Sequence, residues 1–135
     1  MLCWLPGADL ATRDEGERFT ARALDLYKKH VVGAMRRKVT IAVSVVAGME
    51  VAVVYHVVLK TAERLAGRLR KAGVAATATS GDDHAEVELH KREPAVQAIG
   101  ISNPGGPCNA CGAYFGSTPT GFANVYWDSD GWIKQ

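Results

Sequence analysis

His84-Ala85-Glu86 and Pro107-Cys108-Asn109-Ala110-Cys111 are the residues whose types and spacing suit chemistry. Zinc takes about four tetrahedral ligands, thiolates and imidazoles among them, and a catalytic site leaves one position to water. Cys108 and Cys111 are three apart, so on a helix both thiols face one way. In the first turn they meet the positive end of the helix dipole, which stabilises thiolates. His84 is the candidate third ligand. Two thiolates and one neutral imidazole balance a doubly charged cation. Glu86, two residues on, can reach a bound water without being a ligand. Such a carboxylate takes a proton from water and passes it to a ring nitrogen or a leaving amine. A lone Cys-x-x-Cys also serves redox pairs and structural zinc knuckles. A knuckle would need Cys3 or His90 as fourth ligand, and a redox pair would leave Glu86 and Pro107 without a role.

Two helices must carry these runs. Ser80-Gly81-Asp82-Asp83 is helix-cap chemistry and predicts a helix over 83–92, stopped before Pro94. Pro107 suits the first position of a second helix, 107–115. Between them, 95–102 is strand-like and Asn103-Pro104-Gly105-Gly106 reads as a turn. Upstream, 39–59 is apolar and about long enough to span a bilayer. Glu50 in that run is costly in lipid, and period two on both sides of Ala47-Gly48 predicts a β-hairpin over about 38–58. No membrane partner is expected.

The remaining elements follow from caps and periodicity. Thr12-x-x-Glu15 reads as a capping box opening a helix over 12–33, with Phe19, Ala23, Leu26, Tyr27 and Val31 at helical spacing. Leu65 and Leu69, with Ala62, Ala66 and Ala72, predict a helix over 60–72 with a basic side. The stretch 74–80 reads as extended or loop, and 116–121 as loop. Segments 124–127 and 132–135 flank a turn sequence, Asp128-Ser129-Asp130-Gly131, and predict a hairpin. Residues 1–11 read as a leader or a loose arm, and the Met1 start suits an excised piece or a small free-standing gene.

Composition sets the outer bounds. A chain of 135 residues fits one domain. Hydrophobic residues at 47% and charged residues at 22% exclude a disordered chain. A net charge of +2 neither requires nor excludes a nucleic-acid partner, because local patches matter more than the sum. Three cysteines make a poor disulfide framework. No basic region precedes an apolar run at the N-terminus, so no ordinary secretion signal is expected.

With both motifs placed, the sequence resembles the cytidine deaminase superfamily. It carries the His-x-Glu … Pro-Cys-x-x-Cys signature at His84, Glu86, Pro107, Cys108 and Cys111. More narrowly, Ser102-Asn103-Pro104-Gly105-Gly106-Pro107-Cys108-Asn109-Ala110-Cys111 is similar to the corresponding loop of double-stranded-DNA cytosine deaminase toxins of bacterial polymorphic toxin systems. The resemblance covers about 39–135; residues 1–38 align with nothing, and helix 60–72 is long for the nearest toxin relatives. It implies an α/β fold, a cytidine-deaminase-like mixed five-stranded sheet with flanking helices and the two motif helices side by side at the zinc. Only four residues separate Trp127 from Trp132, which allows a C-terminal antiparallel hairpin and forbids a crossover helix.

The implied protein is a single zinc-dependent deaminase domain over 1–135. Its reaction is hydrolysis of cytosine to uracil in nucleic acid, DNA ahead of RNA. Its setting is an interbacterial toxin acting in the bacterial cytoplasm of a recipient cell, delivered within a larger secreted protein and held by a cognate immunity protein. The alternatives are deamination of a free nucleoside or nucleotide, deamination of adenine, and a non-catalytic binding module that keeps zinc for structure. Glu86 argues against the last, since a structural site has no use for it.

Other residues are weaker candidates. Ser102 and Asn103 suit hydrogen bonds to a base edge, or turn chemistry alone. Trp127 or Trp132 suits stacking on a base, while Phe115 and Tyr126 suit the core. His90 suits the pocket rim or a structural role; His30 and His56 suit structure. Arg64, Arg68 and Lys71, and also Arg36-Arg37-Lys38, suit a phosphate backbone, or a solvated surface.

Overall fold

In the computed structural model, which describes residues 10–33, 39–103, 108–117, 124–127 and 132–134, the apolar run 39–59 folds as a hairpin. Chain order is α1 (Leu10–His30), β1 (Thr40–Val46), β2 (Met49–Tyr55), α2 (Leu59–Lys71), β3 (Ala75–Thr79), α3 (Ala85–Arg92), β4 (Ala98–Ile101), α4 (Asn109–Ser117), β5 (Asn124–Trp127) and β6 (Trp132–Lys134). The expected leader, Arg36-Arg37-Lys38, the turn at 104–107, most of the loop at 116–121 and the turn at 128–131 lie outside the described residues.

β1 and β2 pair antiparallel from Thr40↔Tyr55 to Val46↔Met49. Their turn has positive φ at Ala47 (51°) and Gly48 (80°), the sign pattern whose twist suits a two-residue hairpin. Among the described residues no helix is long and apolar enough to cross a membrane. Ile41, Ala42, Val43 and Ser44 are all buried, so both faces of β1 are covered. The period-two pattern therefore sorts large from small: Ile41 and Val43 join one core and Ala42 the other.

The sheet is mixed, in the order β3-β2-β1-β4-β5-β6. β1 is antiparallel to β4, β4 is parallel to β5, and β5 closes antiparallel on β6. The expected α/β architecture with flanking helices and a C-terminal antiparallel hairpin is present, and it is consistent with a deaminase-like fold. The five strands anticipated from the sequence lie side by side as β2-β1-β4-β5-β6. The stretch 74–80 adds a further strand, β3, parallel to β2 from Val51↔Ala75 to Tyr55↔Thr79. Parallel neighbours need a crossover, and α2 supplies it.

Helices cover the two faces in pairs. Ala23 and Leu26 of α1 and Leu65 and Leu69 of α2 pack on Ile41, Val43, Ala52 and Val54. Val87 and Leu89 of α3 and Phe115 of α4 pack on Ala42, Val53, Ile99 and Ile101. α1 begins at Leu10, so Thr12 lies inside the helix and is not its cap; Leu10 and Ala11 are strong helix formers that extend it upstream.

α1 is part of the domain and not an appendage. Arg22 donates from Nε and Nη2 to the Glu50 carboxylate at 2.9 and 3.1 Å, so the acid in the apolar run anchors this helix. A Cβ on Gly100 would collide with the backbone of Phe19 and Thr20, and one on Gly16 with the Tyr126 ring. Glycine at both sites lets α1 lie directly on β4 and β5. Gly100→Ala is expected to lower stability by about 1–3 kcal/mol or more, the range for overpacked sites, read as a fall in the denaturant midpoint. An unchanged midpoint would mean that α1 does not sit on β4.

Candidate metal centre

Both motif runs sit where helices begin. His84 is the N-cap of α3: its backbone is extended, its carbonyl accepts from Glu88 N–H at 3.0 Å, and its side chain makes no cap bond. The cap is therefore His84 itself, and Asp82 and Asp83 precede it. An imidazole is a poor substitute for a short oxygen side chain at this position, which leaves the ring free for another partner. The ring packs edge-on against Tyr55, with centroids 4.8 Å apart. α4 begins at Asn109, and the Cys108 carbonyl accepts from Gly112 N–H at 2.9 Å, so Cys108 holds the N-cap position there. Pro107 lies outside the described residues. Cys111 is three residues further on, in the first turn and buried.

These placements bring three ligand atoms together. Nδ1 of His84 lies 3.3 Å from Sγ of Cys108 and 3.3 Å from Sγ of Cys111, and the two sulfurs are 3.4 Å apart. Metal–sulfur bonds of ~2.3 Å and metal–nitrogen bonds of ~2.0–2.1 Å span tetrahedral edges of about 3.5–3.8 Å. The cluster is slightly tighter than that and suits one ion. His84, Cys108 and Cys111 form a group able to hold a metal, and no fourth ligand joins them among the described residues. A closed structural site would need one. Cys3 lies outside the described residues, and His90 faces elsewhere.

Burial works against negative charge at this point. Burial pushes the Cys111 thiol well above its usual range, with the nearby Glu86 charge and Cys108 adding to it. Burial likewise raises the Glu86 carboxyl, against a hydrogen bond from its own backbone, the His84 charge and the Cys111 thiol. Glu86 is 2% exposed, and its Oε1 has no hydrogen-bond partner. A buried carboxylate with an unused acceptor is costly unless something meets it there.

A cavity of about 350 Å³ opens beside the cluster. His84, Cys108 and Glu86 form its reactive wall, and Thr40, Tyr55, Val57 and Asn103 form the rest. A second cavity, of about 360 Å³, lies between Arg70 and Arg92 and is lined by none of the three ligands. Thr40, Tyr55 and Val57 had no signal of their own in the sequence. Only the pairing of Thr40 with Tyr55 puts the start of β1 and the end of β2 at the same edge of the site.

The other candidates divide. Asn103 lines the cavity. Ser102 does not; its Oγ accepts from Ile41 N–H at 2.9 Å and ties the end of β4 to β1. His90 is buried, its Nδ1 is 2.9 Å from the Tyr114 hydroxyl, and it packs on Phe115, so it joins α3 to α4 behind the ligands and is not a wall of the cavity. Phe115 and Tyr126 are core residues. Trp127 is partly buried against the core on the α3–α4 face, and Trp132 pairs with it in the β5–β6 register. Arg64, Arg68 and Lys71 belong to α2, which packs on the opposite face of the sheet. Arg68 donates to the His30 carbonyl at 3.0 Å, and Lys71 lies about 18 Å along the helix axis from Leu59. The structure does not bring Arg68 or Lys71 to the site, and Arg64, nearer the helix start, is not among the residues that line the cavity. His56 accepts from Val58 N–H at 2.9 Å, the structural role expected of it.

No protein-family model, curated protein or solved structure matches this chain. The ligand geometry and the cavity carry the functional reading.

One zinc per chain is expected after dialysis against limiting metal, measured by elemental analysis. The Cys108→Ala, Cys111→Ala double variant should retain none, and added zinc should raise the melting temperature of the wild type only, since binding couples to folding. Full zinc content in the double variant would remove the site.

Proposed function

We propose that the chain is a zinc-dependent hydrolytic deaminase acting on cytosine in nucleic acid, with DNA as the first substrate to test. The observation that carries this is the convergence of three ligand atoms with a buried, half-satisfied Glu86 on one open cavity. His84, Cys108 and Cys111 would hold the metal, and a bound zinc would supply Lewis-acid activation of water at this wall.

The chain's own groups would do the rest. Tyr55 and Val57 present an apolar wall suited to the flat face of a pyrimidine. Asn103 places a side-chain amide, of a type that can pair with a base edge, on the cavity wall. Glu86 takes a proton from the attacking water and delivers it to N3 of the ring as oxygen bonds to C4. It then takes the remaining proton from the new C4 hydroxyl and passes it to the amino group, the C4–N bond breaks as the C4 carbonyl forms, and ammonia leaves. Water and cytosine are consumed, uracil and ammonia are formed, and Glu86 ends as it began. A carboxyl raised by burial is suited to both taking and giving a proton.

The choice of nucleic acid over free nucleoside, and the setting as an interbacterial toxin with an immunity protein, rest on the similarity of the segment from Ser102 to Cys111 to the toxin loop. A cavity of about 350 Å³ also admits a single nucleoside, which keeps that reading as the alternative.

Glu86→Gln should keep one zinc and an unchanged melting temperature while turnover falls at least 10²–10⁴-fold, the usual contribution of a general acid–base group. Loss of zinc in that variant would make Glu86 a ligand and overturn its role. A panel of single- and double-stranded DNA, RNA and free cytidine, read by uracil formation, separates the substrate classes. Turnover of cytidine alone would overturn the nucleic-acid reading. Expression in bacteria should raise C-to-T mutation only when Glu86 is intact.

A further inference from the structure

Val57, Val58 and Leu59 are 50%, 51% and 45% exposed. They are the one run of consecutive large exposed apolar side chains among the described residues; Val32, Val45 and Met49 stand apart. Contiguous exposed apolar side chains are often where a surface meets a partner. The run begins inside the site, because Val57 is part of the cavity wall.

Its backbone is held rigidly. Val58 N–H donates to Nδ1 of the buried His56 at 2.9 Å, and His56 N–H donates to the Thr79 carbonyl at 3.2 Å. The Val58 carbonyl accepts from Thr61 and Ala62. Val58 is also the N-cap of α2, with extended backbone and no side-chain cap bond. Helix physics favours Ser, Thr, Asp or Asn at that position by about 0.5–2 kcal/mol over an aliphatic residue. An exposed valine there gives up local stability without burying anything inside the domain, and such conflicts cluster at functional sites.

Charge indicates the partner. Lys60 and Arg64 follow on one side of α2, one turn apart, both exposed and without an ion pair among the described residues. Glu63 is the helix's single acid. An apolar step followed by cations fits a nucleobase followed by its phosphate, since aliphatic side chains wedge against base faces and cations take the backbone.

We propose that Val57, Val58 and Leu59 form a preformed apolar lip that receives the base next to the one in the cavity, with Lys60 and Arg64 beside the intervening phosphate. The substrate class is then an unstacked strand of at least two nucleotides. This rests on the nucleic-acid reading above.

The test uses the zinc-loaded full chain and the Val58→Ser, Leu59→Ser double variant. Serine at the Val58 cap should leave the melting temperature level or raise it. Binding is read by fluorescence anisotropy on short labelled single strands with one cytosine, its neighbour on either side being a base or an abasic site. Wild type should bind about three- to tenfold more weakly when one neighbour is abasic, somewhat below the range for an aromatic stack. The double variant should bind the intact strand that much more weakly and no longer distinguish the abasic one. Its affinity for deoxycytidine monophosphate should not change.

Equal binding by both proteins, or an equal loss on the mononucleotide, overturns the lip. So does a wild-type dimer in sedimentation that the double variant dissolves, because the occupant is then a second copy. Base-dependent binding without deamination of any cytosine substrate overturns the enzymatic reading and keeps the lip. Deamination without base-dependent binding does the reverse.

Discussion

Three ligand atoms from two helices meet within 3.4 Å only because both helices begin at one point. Everything else in the structure serves that constraint. β3 is parallel to β2, while β2 and β4 are each antiparallel to β1, so β3 and β4 run the same way. The helices that follow them, α3 and α4, therefore start at the same edge of the sheet, and their apolar sides pack on the same face. Ligand sites in α/β sheets lie outside the carboxyl ends of strands for this reason. Thr40, Tyr55 and Asn103 reach the cavity because they occupy that edge too.

The helix ends also set the charge environment. Each aims its positive end and unpaired N–H groups at the cluster, which lowers the cost of thiolates and of a carboxylate nearby. Burial acts the other way on Cys111 and Glu86, holding both groups towards their protonated forms. A divalent cation reverses that balance, since a coordinating thiol loses its proton outright. The residues at these helix starts are chosen against helix stability: neither His84 nor Val58 caps its helix with its side chain. At this edge the cap positions hold a candidate metal ligand and an exposed valine.

The opposite face is scaffold. α1 and α2 lie over Ile41 and Val43 of β1 and Ala52 and Val54 of β2, while Ala42 and Val53 face α3 and α4. Gly100 and Gly16 let α1 approach β4 and β5, and the Arg22–Glu50 pair ties it to β2. α2 has two roles along its length. Its C-terminal half is bound into the scaffold through Arg68 and the His30 carbonyl, whereas its first residues emerge beside the cavity.

The sequence by itself determined the candidate ligands, the general acid–base candidate and most of the elements. His84, Glu86, Cys108 and Cys111 are legible because metal chemistry restricts residue type and helical spacing restricts separation. The hairpin around Ala47-Gly48 is legible because period two and a positive-φ turn are local properties. What only the tertiary structure decided is which neighbours share the site. β3 is ambiguous in sequence because alanine favours helix while threonine favours strand, and its strand state comes from pairing with β2. Ser102 and Asn103 are adjacent in sequence, yet one is tied to β1 and the other faces the cavity. His90 lies four residues from Glu86, yet it is buried against Tyr114 and Phe115. The basic side of α2 reads alike along its length, yet only its start approaches the site. In each case the deciding quantity is strand register or the sheet face a helix covers, and both are set by contacts between residues far apart in the chain.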